Sequence, residues 1–377
     1  MRSPALRLAA VVLAIGSLVL SGCGTSSPGD VASADSTASH PSTRTIEDSL
    51  GTITVPWEAQ RIATTAPAQT TAVLLLGGVD KLVAIEDSTG KNAWIQSKYP
   101  QLADLPVVFS NNTTNVEELL NAEPDLVAYA SRYGEDTRKQ LEELGIACIG
   151  GVAVEDEDFL NRVRDNQVHY GEAIGGAQME SATSYGTEFD DIRAGIEAKT
   201  KDLPEDKKPT VVQLSGNGET LQANNGSAIG QQLITMAGGV NAAEGVTGES
   251  KGPSGQTAIE PEQLLEWDPS ILLVDSPEIR TMIQKDQVFS DLQAVKSNKI
   301  FVIPRGAMAW AYNGPEEYLA MQFFAKAIQP ELFADIDMET AARNFYSTYF
   351  GFELTDDDMR TLFTLADGAT VEDVFKR

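Results

Sequence analysis

Two stretches far apart in the chain carry nearly the same phrase, and that duplication limits the folds open to it. Residues 115–131 read NVEELLNAEPDLVAYAS, and residues 260–276 read EPEQLLEWDPSILLVDS. Aligned on Pro124 and Pro269, Glu117 and Glu262 each stand seven residues before the proline. Leu119-Leu120 answers Leu264-Leu265, Glu123 answers Asp268, and an apolar run follows each proline. Proline disfavours helix in the residue before it, so each phrase reads as a short helix, a turn and a buried strand. Such units are common in α/β proteins, and an acid near a helix start suits the helix dipole anyway. The equal offset of the acid in both copies points further, to one matching unit in each of two similar lobes.

The rest of the body supports two lobes. RIATTA, KLVAIED, DLVAYAS and IACIGG are short β-rich runs in the first half, and TVVQLSG, ILLVDS and KIFVIP are their counterparts in the second. Amphipathic segments such as TNVEELLNA and DTRKQLEELG lie between them. Strands alternating with helices make parallel sheets covered by helices. Well over 300 residues follow the N-terminal segment, too many for one simple core. Between the halves, Ala182, Tyr185, Phe189, Ile192 and Ile196 recur at three- and four-residue intervals, which is one helical face. The expectation is therefore an α/β chain of two lobes, each a mainly parallel sheet flanked by helices, at 44–176 and 204–377. One long helix over 177–203 joins them and limits their relative motion.

The first residues read as a processing signal. Arg2 and Arg7 give a positive end, and residues 8–20 are almost uninterruptedly apolar. A run this short, followed by small residues, marks export and does not span a bilayer. Its ending, Leu20-Ser21-Gly22-Cys23, resembles the lipobox of bacterial lipoproteins. That resemblance implies a signal peptide over 1–22, cleavage before Cys23 and lipidation of Cys23. The exported chain would then be held on the outer face of the cell membrane. Residues 23–43 are mostly Ser, Thr, Ala, Gly and Asp, a composition that buries no core and reads as a flexible tether.

Several function classes are set aside by composition. The formal net charge is −27, and no basic face is visible for nucleic acid. There are two cysteines; with Cys23 lipidated, Cys148 has no partner, and in GIACIGG it reads as a small buried hydrophobe. Only His40 and His169 exist, one in the tether and one in a helical stretch, so a histidine-rich metal site cannot be assembled. No Gly-x-Ser-x-Gly elbow appears, and the glycines of LSGNGETLQANNGSAIG lack the Gly-Lys-Ser/Thr ending of a phosphate loop. The chain reads as a binding protein and not as an enzyme.

Taken together, the lipobox, the tether, TIEDSLGTITVPWEAQRIA, the paired phrases and the long helix resemble the substrate-binding lipoproteins of ABC importers for iron complexes, haem and cobalamin. QQLITMAGGVNAA, FSDLQAVKSNKIFVIP and FYSTYFGFELTDDDMRTLF are similar to the C-terminal lobe of that family. The resemblance implies a monomeric receptor that takes a small-molecule metal chelate, a ferric siderophore, and delivers it to permease subunits driven by a separate ATPase. It also implies that Glu117 and Glu262 dock onto permease arginines, a kind of charge pairing that serves steering and register. Haem, cobalamin or an oxyanion such as molybdate are the alternative ligands, and a storage lipoprotein without a permease is the alternative role. No resident cofactor is expected.

Ligands of α/β lobes gather at loops after the carboxyl ends of strands. Here those loops are 64–69, 86–94, 131–135, 215–225 and 304–315. The last, PRGAMAWAYNGP, supplies Arg305, Met308, Trp310 and Tyr312 as ligand candidates; Arg132 and Tyr133 are the candidates of the other lobe.

Overall fold

The structure, a computed structural model, describes residues 41–110, 113–130, 133–152, 158–216, 220–247 and 255–376. It opens on an antiparallel hairpin of β1 (Thr43–Asp48) and β2 (Gly51–Pro56), which buries Ile46, Ile53 and Val55. The first lobe follows with β3 (Ile62–Thr64), β4 (Leu82–Glu86), β5 (Val107–Ser110), β6 (Thr113–Thr114), β7 (Leu126–Ala128) and β8 (Ala147–Ile149). They lie in the order β6-β5-β4-β3-β7-β8. Every pairing is parallel except that of β5 with β6.

The second lobe contains β9 (Thr210–Gly216), β10 (Leu221–Asn224), β11 (Val240–Asn241), β12 (Gln256–Ile259), β13 (Ile271–Val274) and β14 (Ile300–Val302). Its order is β12-β10-β9-β13-β14, with β11 also on β9. β9, β11, β13 and β14 run parallel, whereas β10 is antiparallel to both β9 and β12. The central strands β9 and β13 are covered on both faces, so β13, ILLV, is a continuous apolar run, and β9, TVVQLSG, interrupts its apolar residues with the buried Gln213 and Ser215. β10 and β12, written LQAN and QTAI, are short and polar and carry no such signal.

All strands of the first sheet precede the Ala177–Thr200 helix, and all strands of the second follow it. At ~1.5 Å per residue, its 24 residues extend about 36 Å. Ala182, Tyr185, Phe189 and Ile196 are buried on the expected face, and Ile192 is half-buried at its margin. This helix packs along a second one, Phe159–Ile174. The reversal between them uses Gly175 and Gly176 at φ 80° and 58°, left-handed conformations that glycine adopts without a Cβ clash. His169 lies on the Phe159–Ile174 helix, buried, 3.7 Å from Asp48.

The paired phrases fold alike. Val116–Asn121 and Pro261–Trp267 are helices that lead into β7 and β13. Each ends on an acidic residue in the left-handed region, Glu123 at φ 48° and Asp268 at φ 37°. Such a conformation is uncommon for a residue with a side chain, and both copies satisfy the carbonyl there. Arg61 donates to Glu123 O at 2.8 Å, and Gln293 donates to Asp268 O at 3.2 Å. Among the described residues, no helix is long and apolar enough to cross a membrane.

Candidate ligand-binding cleft

The carboxyl ends of the parallel strands converge on a cavity of about 280 Å³ lined by both lobes. From the first lobe come Pro67, Ser88, Thr89, Asn92 and Ile95. Pro67 follows β3 and opens the Pro67–Leu75 helix, where its fixed φ and missing N–H cost nothing. Ser88 and Thr89 follow β4, and their N–H groups donate to the buried Glu86 carboxylate at 2.6–3.1 Å. Asn92 caps the next helix by accepting from Ile95 N at 3.2 Å, and its Nδ2 donates across the cleft to Ala307 O at 3.0 Å.

From the second lobe come Arg305, Ala307, Met308, Ala309 and Tyr312, all on the loop after β14. The loop folds back on itself. Arg305 and Ala309 form an isolated antiparallel bridge, Gly306 N donates to Met308 O at 2.9 Å, and Trp310 N donates to Pro304 O at 3.1 Å. Ala311 and Asn313 take φ of 65° and 60°, which costs free energy for residues with a Cβ. That strain persists because two buried carboxyl groups hold the loop from beneath. Glu316 accepts from Ala307 N and Met308 N at 2.8 and 2.6 Å, and Glu317 accepts from Ala311 N at 3.0 Å.

The electrostatics of this lobe are unusual. Burial pushes Glu316 up to about 7 and Glu317 up to about 8. Asp275, just after β13, is pushed up to about 6 by burial, against the Tyr312 hydroxyl that donates to it and the charge of Arg305. Tyr312 in turn accepts from Gln256 Nε2 at 2.6 Å. Arg305 is exposed on the cavity, so one cation faces a mixed wall of hydroxyl, amide and apolar groups.

The expected residues divide. Arg305, Met308 and Tyr312 line the cavity. Trp310 does not: it is 0% exposed and packs edge-on to Phe323 and Phe363, because the fold-back of the loop sends the indole into the core. Tyr133 is also buried, against Phe109 and Tyr129 in a satellite core of the first lobe. Arg132 and Cys23 lie outside the described residues. Asn92, Asp275, Glu316 and Glu317 were not anticipated. The acidic pair in GPEEY looks, in sequence, like an ordinary helix start.

Glu117 and Glu262 are exposed in the first turns of their helices. Neither caps its helix. Asn115 accepts from Glu118 N, and Glu260 with Gln263 forms a capping box. Cys148 is buried, and burial pushes its thiol up to about 12. Among the described residues, no group of three His, Cys, Asp or Glu side chains could hold a metal ion. A larger concavity, about 600 Å³, lies beside the linking helix and the start of the second sheet. Its Arg193 is already committed to Asp158 and Glu197, and it is remote from the strand ends where ligands of such lobes gather.

Comparison with known proteins places this architecture. Residues 62–307 match the family model described as periplasmic binding protein. The molybdate-binding protein MolA of Haemophilus influenzae is 24% identical over 268 residues, covering 67% of this chain and 74% of that protein. An uncharacterized ABC transporter substrate-binding lipoprotein of Bacillus subtilis, YvrC, is 23% identical over 296 residues, covering 77% and 87%. The crystal structure of a periplasmic solute binding protein from Veillonella parvula superposes with a TM-score of 0.72 at 26% identity, over 85% of this chain and 97% of that one. With its two α/β lobes about a shared cleft, this chain belongs to the periplasmic binding protein family and is the substrate-binding protein of an ABC importer.

Proposed function

We propose that the cleft captures a compact oxygen-rich anion, an oxyanion of the molybdate kind, and that the chain delivers it to a membrane permease. The observation that carries this reading is the cavity itself. Its volume, about 280 Å³, is at the lower limit of the ~300–1,000 Å³ usual for small-molecule pockets. It offers one exposed guanidinium, from Arg305, and neutral hydrogen-bonding groups on Ser88, Thr89 and Asn92, whereas the Tyr312 hydroxyl on its wall already donates to Asp275. With Trp310 in the core, no indole of the described residues lines the cavity to stack on a flat macrocycle. The relative named as a molybdate-binding protein supports the same ligand class.

A ferric siderophore, the ligand implied by the family resemblance, is the second reading. Arg305 favours it too, because an exposed guanidinium also forks onto chelate oxygens. In either case the chain is exported, anchored through lipid on Cys23, monomeric, and docked to its permease through Glu117 and Glu262. It carries no catalytic activity and no resident cofactor.

Calorimetric titration with molybdate, tungstate, sulfate, a ferric hydroxamate, a ferric catecholate, haem and cobalamin tests the ligand. Saturable binding of molybdate or tungstate, weakened at least about tenfold in Arg305→Ala, is the expected result; charge-assisted hydrogen bonds of this kind contribute roughly 1.5–3 kcal/mol. Silence with every oxyanion and tight binding of a ferric chelate would overturn the oxyanion and leave the second reading in its place.

A further inference from the structure

We infer that Glu316 is the positioning residue of the ligand loop, its buried carboxyl group holding Ala307 and Met308 in place. The geometry is direct. One carboxyl group, itself 0% exposed, faces the N–H groups of Ala307 and Met308 and the hydroxyl of Tyr346. Gly306 lies directly over this group; a Cβ there would overlap both Tyr346 Oη and Glu316 Oε1. The loop therefore rests on the carboxyl with nothing between them. Ala307 passes the hold across the cleft, since its carbonyl takes Asn92 Nδ2 while its N–H donates to Glu316. A single hydrogen-bonded chain thus links the first lobe, the ligand loop, Glu316 and the C-terminal helices that bear Tyr346.

The groups that face Glu316 are few. Tyr346 lies on the C-terminal helical segment, Arg305 acts on it from the loop, Tyr185 feels it from the linking helix, and Glu317 is its neighbour in sequence. Burial outweighs the three donors and the charge of Arg305, so the proton is held to about pH 7 against an ordinary value of 4.5. Releasing the loop exposes the carboxyl to water and returns it toward that ordinary value. The held loop then binds more protons than the released one between these two pH values. By linkage, release becomes easier as pH rises, by about tenfold in its equilibrium constant from pH 6 to pH 8.

Amide hydrogen exchange on the full chain, corrected for the intrinsic pH dependence of exchange, tests this without any ligand. It therefore stands whichever anion or chelate the cleft takes. In the wild type, the opening constants of Ala307 and Met308 should rise about tenfold between pH 6 and pH 8 and should exceed that of Leu214 in β9, which opens only with the fold as a whole. Glu316→Gln should abolish the rise, and Glu317→Gln should leave it at Ala307 and Met308. Tyr346→Phe removes one donor to the ionised form and should carry the rise to higher pH, which keeps the test available if Glu316→Gln does not fold. A wild-type profile that is flat, or one unchanged in both Glu316→Gln and Tyr346→Phe, overturns the inference.

Discussion

Lys98 of the first lobe meets Asp358 of the C-terminal helices at 2.6 Å, with only 14% and 15% of the two side chains exposed. Beside this pair, Tyr99 donates to Phe350 O at 2.5 Å. The helix that starts at the cavity residue Asn92 is thereby fastened at its other end to the C-terminal helices, and the linking helix adds a second, stiff connection. A cleft bound in this way opens little. Small-angle scattering should show the radius of gyration changing by less than about 1 Å on saturation with ligand, unlike receptors whose lobes close about a free hinge. Lys98→Met should lower stability by about 1–3 kcal/mol in urea titration, because it leaves Asp358 covered and unpaired. A scattering change of several ångströms would show that these contacts break during binding.

Trp310 separates two readings of the loop. A ligand wall would make Trp310→Ala lose ligand with little loss of stability. The observed edge-on contacts with Phe323 and Phe363 make it core, and emptying such a site costs about 3–5 kcal/mol. Denaturation of Trp310→Ala should therefore begin at clearly lower denaturant than in the wild type. The milder Trp310→Phe should retain ligand affinity within about twofold, since no atom of the indole is exposed to the cavity. Loss of affinity in a stably folded Trp310→Phe would return this residue to the site.

What the sequence disclosed follows the strength of its periodicities. The apolar runs of β9, β13 and β14 and the three-and-four spacing of the linking helix are imposed by burial, so they are visible without coordinates. β10 and β12 are not, because LQAN and QTAI owe their strand conformation to neighbours and not to their own composition. The fold-back of residues 304–315 was equally hidden. It depends on acceptors at Glu316 and Glu317 and on left-handed residues at Ala311 and Asn313, none of which has a local signature. Unusual side chains in that loop therefore point to Arg305, Met308 and Tyr312, which the structure places along the cavity, but give no sign of the inward turn of Trp310. Asn92 lies in the loop 86–94 that the strand pattern points to, but its contact with Ala307, 215 residues away in sequence, is beyond the reach of any pattern in one chain.

Glu117 and Glu262 are free for an outside partner because other residues perform the capping in both helices. Reversing them to Lys should leave the melting temperature within about 2 °C and ligand affinity unchanged, as expected of exposed side chains. Uptake of labelled ligand by cells should fall strongly in each single reversal and be abolished in the double, since like charges facing across an interface cost several kcal/mol. Uptake that survives the double reversal would remove the docking role and favour a storage lipoprotein.

The three raised carboxyls set the direction in which stability changes with pH. Asp275, Glu316 and Glu317 hold their protons to about 6, 7 and 8, above their ordinary values of 3.8 and 4.5, and burial is the main cause in each. Each therefore binds its proton more tightly in the folded chain than in the unfolded one. Their contribution is fully favourable below the ordinary carboxyl range and is lost as pH rises from there to about 8. Glu317 has the widest interval and an oxygen, Oε1, that finds no partner among the described residues. Glu317→Gln removes the ionisation and keeps an acceptor for Ala311 N. Its melting temperature should exceed the wild type at pH 8, by an amount equivalent to a few kcal/mol, and the gap should close by pH 5. Melting curves collected across that range, in one buffer system at constant ionic strength, decide the matter: a Glu317→Gln variant that is destabilised equally at both ends would mean that the carboxylate is held in the folded chain as an ion, and that its hydrogen bonds outweigh its burial.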